Sequence, residues 1–81
     1  MILVTGAAGK TGRAVIRALT AKGGEVKALV HRLELVRRVE ELGVHETLVG
    51  DMRDQAMMDH AARDVRAVYH IPPNVHPDEA L

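Results

Sequence analysis

The stretch "VTGAAGKTG", residues 4 to 12, restricts most strongly what this chain can become. It sets Gly6, Gly9 and Gly12 behind the apolar run "MILV" and ahead of "GRAVIRALTA", whose apolar residues recur at helical spacing. Glycine costs conformational entropy in ordered structure, so a cluster of this kind means that backbone must come close to something. Strand, glycine turn and helix, in that order, open a parallel α/β sheet, and a nucleotide-phosphate loop needs the same context. The spacing is G-x-x-G-x-x-G, one residue longer at the front than the G-x-G-x-x-G dinucleotide fingerprint.

The alternation continues to the end of the chain. "MILVT" reads as a buried strand, and "GRAVIRALTAKGG" as a helix with Ala14, Val15, Ala18 and Leu19 inward and Arg13 and Arg17 in water. "EVKALV" is a second strand. "LELVRRVEEL" is a helix with Leu35, Val36, Val39 and Leu42 on one stripe, closed by Gly43. "HETLVG" is a third strand, and "DQAMMDHAARDV" a helix capped by Asp54 that turns Met57, Met58, Ala61 and Ala62 inward. "RAVYHI" is a fourth strand, ended by Pro72 and Pro73. Short connections in a β-α-β-α-β-α-β order predict a parallel sheet with right-handed crossovers. Residues 1–81 are expected to form a single partial domain, with 72–81 as an extended tail.

Composition narrows the class. The chain has 81 residues and no Phe or Trp, so its core must be aliphatic, as suits a parallel sheet between helices. Eleven basic residues balance eleven acidic ones, which leaves no bulk field to attract nucleic acid or a membrane. Cysteine is absent, so thiolate metal sites and disulfides are excluded and a reducing, cytoplasmic location is expected. No apolar run approaches the length of a membrane span.

The glycine loop has a physical reading as a diphosphate cradle. Gly6 turns the chain off the strand, and Gly9 lets backbone N–H groups reach a pyrophosphate. Gly12 lets the helix lie close on the sheet. Ala8 belongs to the same loop, the helix start adds unpaired donors and a positive dipole end, and Thr11 adds a hydroxyl. The alternative is a glycine-rich turn with no ligand. About 20 residues past the loop, NAD-binding domains carry an acid for the ribose hydroxyls. Arg32 stands there instead, which suits a 2′-phosphate and hence NADP over NAD, with Lys10 and Arg13 in support. Arg32 could equally end the strand in solvent, neutralised by Glu34. Beyond the third strand, the Asp51 carboxylate can accept from an adenine amino group while the Met52 amide donates to a ring nitrogen. Either Asp51 or Asp54 could instead cap the following helix.

Taken together, "MILVTGAAGKTG", "ALVHR", "VGDMRD" and "VYHIPPNVHPDEA" resemble the NmrA-like group of atypical short-chain dehydrogenases/reductases. The resemblance covers essentially the whole chain and implies a Rossmann fold, sheet order 3-2-1-4, that binds NAD(P). By it, Gly6, Gly9, Thr11 and Gly12 would contact pyrophosphate, Arg32 the adenosine ribose side, and Asp51 and Met52 the adenine. His70, Ile71 and Pro72 would lie beside the cofactor. The family includes both reductases and redox-sensing regulators. Its fuller members continue into a nicotinamide half-site and a substrate-binding portion, so this chain is expected to be an N-terminal fragment. The Tyr-x-x-x-Lys pair of related enzymes has no counterpart here, since the single tyrosine is Tyr69 and the last lysine is Lys27.

No catalytic residue and no metal ligand is assigned. The five histidines are not spaced as ligand pairs, and the chain contains no Ser or Cys nucleophile. The expected function is therefore binding of the ADP-ribose half of a dinucleotide as part of an oxidoreductase. The alternatives are a non-catalytic redox sensor, or a structural remnant that forms a homodimer through its exposed sheet edge.

Overall fold

The computed structural model describes residues 1–71. The extended tail expected over 72–81, and with it Pro72, lies outside the described residues.

Among the described residues, four strands and three helices alternate: β1 (Ile2–Thr5), α1 (Lys10–Ala21), β2 (Val26–Val30), α2 (Val36–Glu40), β3 (Glu46–Val49), α3 (Gln55–Ala61) and β4 (Ala67–Tyr69). A single 3-10 turn, Leu33–Leu35, leads into α2. The strands are parallel and lie in the order β3-β2-β1-β4, the Rossmann-type order expected from the sequence. Ile2 pairs with Val26 on one side and with Ala67 on the other, so β1 is central. The sheet order reverses at β1, and in such sheets ligands bind beyond the carboxyl ends of the strands, near that reversal.

Two apolar layers hold the helices. On one face Val4, Val26, Ala28 and Val30 pack with Ile16 of α1 and with Leu35 and Val39 of the α2 segment. On the other, Leu3 and Leu29 pack with Ala61 of α3, and Met57, Met58 and Leu48 cover them in part. Because β1 and β2 are buried on both faces, their residues are continuously apolar except for Thr5 and Lys27, both of which have partners.

Local details depart from the sequence reading for identifiable reasons. Helix α1 begins at Lys10, with Gly9 as its cap residue, so Gly12 lies inside the first turn and against the loop backbone of Gly6 and Ala7. That phase buries Gly12 and Ile16 and leaves Ala14 and Ala18 exposed; Val15 and Leu19 border the core as expected. The second helix is shorter than its pattern. Arg32 at the cap position offers no acceptor for the free amides, and the first turn tightens into 3-10 geometry, with the Leu35 amide donating to the Arg32 carbonyl at 3.0 Å. In α3, Ala61 is buried but Ala62 is exposed, because the helix ends at Ala61. Asp54 caps α3 as expected, with Oδ1 accepting from the amides of Ala56 at 3.0 Å and Met57 at 3.3 Å.

Lys27 was not singled out by its pattern. Its side chain is buried in β2, and Nζ donates to the carbonyls of Ala61 at 3.2 Å and Arg63 at 3.1 Å. The ammonium thus sits at the negative end of α3, where a cation satisfies the last carbonyls and favours the helix dipole.

Candidate functional site

The three loop glycines are needed for different reasons. Gly6 has φ +61, and a Cβ there would lie 2.7 Å from the Ile71 carbonyl oxygen. A Cβ on Gly12 would lie 2.8 Å from the Ala7 Cα and closer still to the Gly6 carbonyl. Both positions are closed to a side chain by the protein itself. Gly9 is not: φ is −74, and the nearest atom to an added Cβ is the Gly6 carbonyl at an ordinary 3.5 Å. Internal packing does not require this glycine, and a Cβ there would point into the space in front of α1.

That space is electrostatically prepared for an anion. No side chain caps α1, and its first turn contains no acid. The turn instead carries Lys10 and Arg13, at the helix end where cations are disfavoured. Arg13 is half-buried, contrary to the expectation of a fully wet face, and its Nε is buried with no hydrogen-bond partner among the described residues. A group with two negative charges would relieve the free amides and both cations together.

Beside the loop, the carboxyl ends of β1, β2 and β3 enclose a cleft of about 490 Å³. Leu29 and Val30 form its buried part, Gly6, Gly50 and Met52 are half-buried, and His31, Asp51 and Arg53 are exposed. Gly50 lets the chain turn past Met57, whose Sδ would lie 2.6 Å from a Cβ at that position. Asp51 does not cap α3. Its Oδ1 accepts from the Arg53 amide at 2.9 Å and from Arg53 Nε at 3.1 Å, and its Oδ2 accepts from Nη2 at 2.9 Å. This fork, with the Arg53 amide and nearby His31, lowers the Asp51 pKa to about 2. The carboxylate stays ionised, with part of its acceptor capacity left for a donor in the cleft.

The structure therefore brings Gly6, Asp51 and Met52 to one cleft and sets Gly9, Lys10 and Thr11 at the adjoining helix start. Ile71 is half-buried against Gly6. Its amide donates to the buried Thr5 hydroxyl at 2.9 Å, and that hydroxyl lies 3.1 Å from His70 Nδ1. Ala8 is buried within the turn. Arg32 is not on the cleft wall; its Nε pairs with Glu34 Oε1 at 3.4 Å in solvent, the neutralised arrangement that the sequence had left open. His31, Arg53, Gly50 and Thr5 were not assigned from sequence. His31 follows the last residue of β2 directly, which is the one signal that could have pointed to it.

Comparison with known proteins agrees with this fold. The profile of the NmrA-like family matches residues 1–79. Sterol demethylase protein B of Methylococcus capsulatus is 40% identical over 68 residues, covering 84% of this chain and 20% of that protein. A Bacillus halodurans protein named as an NAD-dependent epimerase/dehydratase superposes with a TM-score of 0.75 at 28% identity, over 96% of this chain and 37% of its own. The chain thus spans about a fifth of the length of the curated relative it matches. Among the described residues, no helix is long and apolar enough to cross a membrane.

Proposed function

This chain belongs to the NmrA-like family, and from that membership we propose that it binds the ADP-ribose half of a nicotinamide dinucleotide. The single observation that carries the reading is Gly9, a glycine with ordinary φ and room for a side chain at the mouth of an uncapped, cation-bearing helix. The diphosphate rests there on main-chain amides, with the Thr11 hydroxyl beside it. The adenine lies in the neighbouring cleft, its amino group directed to Asp51 and its ring to the Met52 amide. Ile71, packed on Gly6, flanks the path towards the nicotinamide. The NAD-dependent name of the Bacillus halodurans neighbour supports the cofactor class.

NADP is the preferred form, with NAD the alternative. Support comes from Lys10 and Arg13, two cations in the first turn of α1, which contains no acid. Arg32, paired with Glu34, and Arg53, paired with Asp51, add no net charge to these two. When bound, the nicotinamide ring supplies a hydride donor or acceptor, and the residues of this chain bind and orient it. The protein as a whole is read as an oxidoreductase acting in the cytoplasm, and a redox sensor is the second reading. The edge of β4, where Val68 and Tyr69 are nearly half exposed, is the proposed seat of any self-association.

Calorimetric titration of the chain with NADP and NAD tests the reading. Saturable 1:1 binding is expected, and its absence for both overturns the proposal. Turnover of NADPH with quinones or carbonyls favours the oxidoreductase, and binding without turnover favours the sensor.

A further inference from the structure

The chain contains no cysteine, so its four methionines hold its only sulfur atoms. Three of them, Met52, Met57 and Met58, are half-buried in one layer with Leu3, Leu29 and Ala61, on the α3 side of the sheet. In a chain without thiols, thioethers are the groups that a peroxide oxidises first. The layer adjoins the cleft, because Met52 and Leu29 belong to both.

Met57 is the methionine whose position couples most closely to the cleft wall. A Cβ on Gly50 would lie 2.6 Å from its Cγ and Sδ and 3.0 Å from its Cε, so the thioether rests on the bare Cα of Gly50. Gly50 lines the cleft, and its amide donates to the Val30 carbonyl at 2.9 Å. One glycine thus lies between the sulfur and the cleft. On the helix side Met57 is pinned, since its amide donates to Asp54 Oδ1 at 3.3 Å within the α3 cap. A change in the side chain therefore falls on Gly50 and is not absorbed by a shift of the helix.

We propose that Met57 is an oxidation site whose sulfoxide loosens the Gly50–Arg53 wall of the cleft and so weakens dinucleotide binding. A sulfur lone pair attacks one oxygen of a hydroperoxide, of which hydrogen peroxide is the simplest. The S–O bond forms and the O–O bond breaks. The departing hydroxide takes the proton of the transferred oxygen and leaves as water. Sulfur is oxidised by two electrons and the peroxide is reduced by two. The sulfoxide is polar, so it turns from the apolar layer to water and leaves Gly50 without its backing. The effect on binding rests on the dinucleotide reading above, whereas the oxidation and the loosening stand apart from it.

The test exposes the chain to hydrogen peroxide at a dose that converts free methionine in the same solution. Three readouts follow: peptide mapping, amide exchange over residues 50–54, and calorimetric titration with NADP. They are taken for the unmodified chain before oxidation, after it, and after repair by methionine sulfoxide reductases. They are also taken for Met52→Leu/Met58→Leu, which keeps Met57, and for the same variant with Met57→Leu added, since leucine conserves volume and resists peroxide. In the unmodified chain and the double variant, Met57 is expected to gain one oxygen. Exchange should then accelerate over 50–54 while α1 stays protected, and NADP binding should weaken several-fold, with the reductases reversing both. The triple variant is expected to show neither change. If either variant is unfolded by circular dichroism, the unmodified chain and its repaired form decide.

A Met57 that gains no oxygen overturns the inference. So do an oxidised chain with unchanged exchange over 50–54, uniform acceleration across the chain, unaltered affinity after oxidation, or an equal response in the folded triple variant. Failure of the unoxidised chain to bind NADP or NAD overturns the dinucleotide reading instead, and mapping and exchange still decide whether Met57 oxidation loosens the wall.

Discussion

The hydroxyl of Thr5 accepts a hydrogen bond from the amide of Ile71 at 2.9 Å, although the two residues are 66 positions apart. Thr5 ends β1 and Ile71 follows β4, so one part-buried bond ties the glycine turn to the exit of the neighbouring strand. The tie also brings the Ile71 carbonyl against Gly6, which is why that position cannot carry a side chain. Replacing Thr5 with Val keeps the shape but leaves the Ile71 amide without its acceptor. A loss of about 1–3 kcal/mol in unfolding free energy is expected by urea denaturation, with Thr5→Ser recovering most of it.

The glycines of the loop are expected to separate by mechanism. Gly12→Ala forces a methyl into the Gly6 carbonyl and Ala7, and should cost about 1–3 kcal/mol or more, as overpacking does. Gly6→Ala adds a strained positive φ, of order 1–2 kcal/mol, to a clash with Ile71. Gly9→Ala meets neither obstacle and is expected to unfold at a urea midpoint close to that of the unmodified chain. A large destabilisation at Gly9 would mean that its role is structural after all.

Much of this fold was legible because β1 and β2 read as apolar runs broken only by Thr5 and Lys27, and the glycines punctuate the first turn. The strand order followed from the Rossmann fold that the family resemblance implies, and the Asp54 cap followed from its place before an apolar stripe. The phase of α1 was not legible: moving its start from Gly12 to Lys10 exchanges Ala14 and Ala18 for Ile16 in the core, and no residue in the loop marks that start. The shortness of α2 turns on a missing acceptor at Arg32. In the site, the loop and the Asp51–Met52 pair were visible as motifs. His31 and Arg53 were not, because facing a cleft depends on which way one extended residue turns and on a two-residue ion pair.

Buried Lys27 holds the last turn of α3 to the sheet through the carbonyls of Ala61 and Arg63. Lys27→Met removes those donors while keeping most of the apolar stem. Hydrogen exchange is expected to accelerate in α3 while α1 stays protected. Uniform acceleration across the domain would contradict a local latch.

Acid should act on Asp51 over a defined range. Its pKa is lowered from 3.8 to about 2 by the Arg53 fork, so the carboxylate favours the folded state above the ordinary value. That contribution is lost as pH falls from about 4 towards 2, when the unfolded chain binds the proton first. Arg53→Leu is expected to return the Asp51 titration, followed by carboxyl carbon-13 shifts, towards the usual carboxylate range. An unchanged titration would show that the fork is not what holds the charge.

Gly9→Val measures the central claim most directly. Valine is β-branched and fills the space in front of α1, and an unchanged circular dichroism spectrum would establish that the variant is folded. As that claim requires, calorimetric titration with NADP is expected to show binding weakened by tenfold or more, because the diphosphate can no longer reach the amides. A folded Gly9→Val chain that holds NADP as tightly as the unmodified one would contradict it.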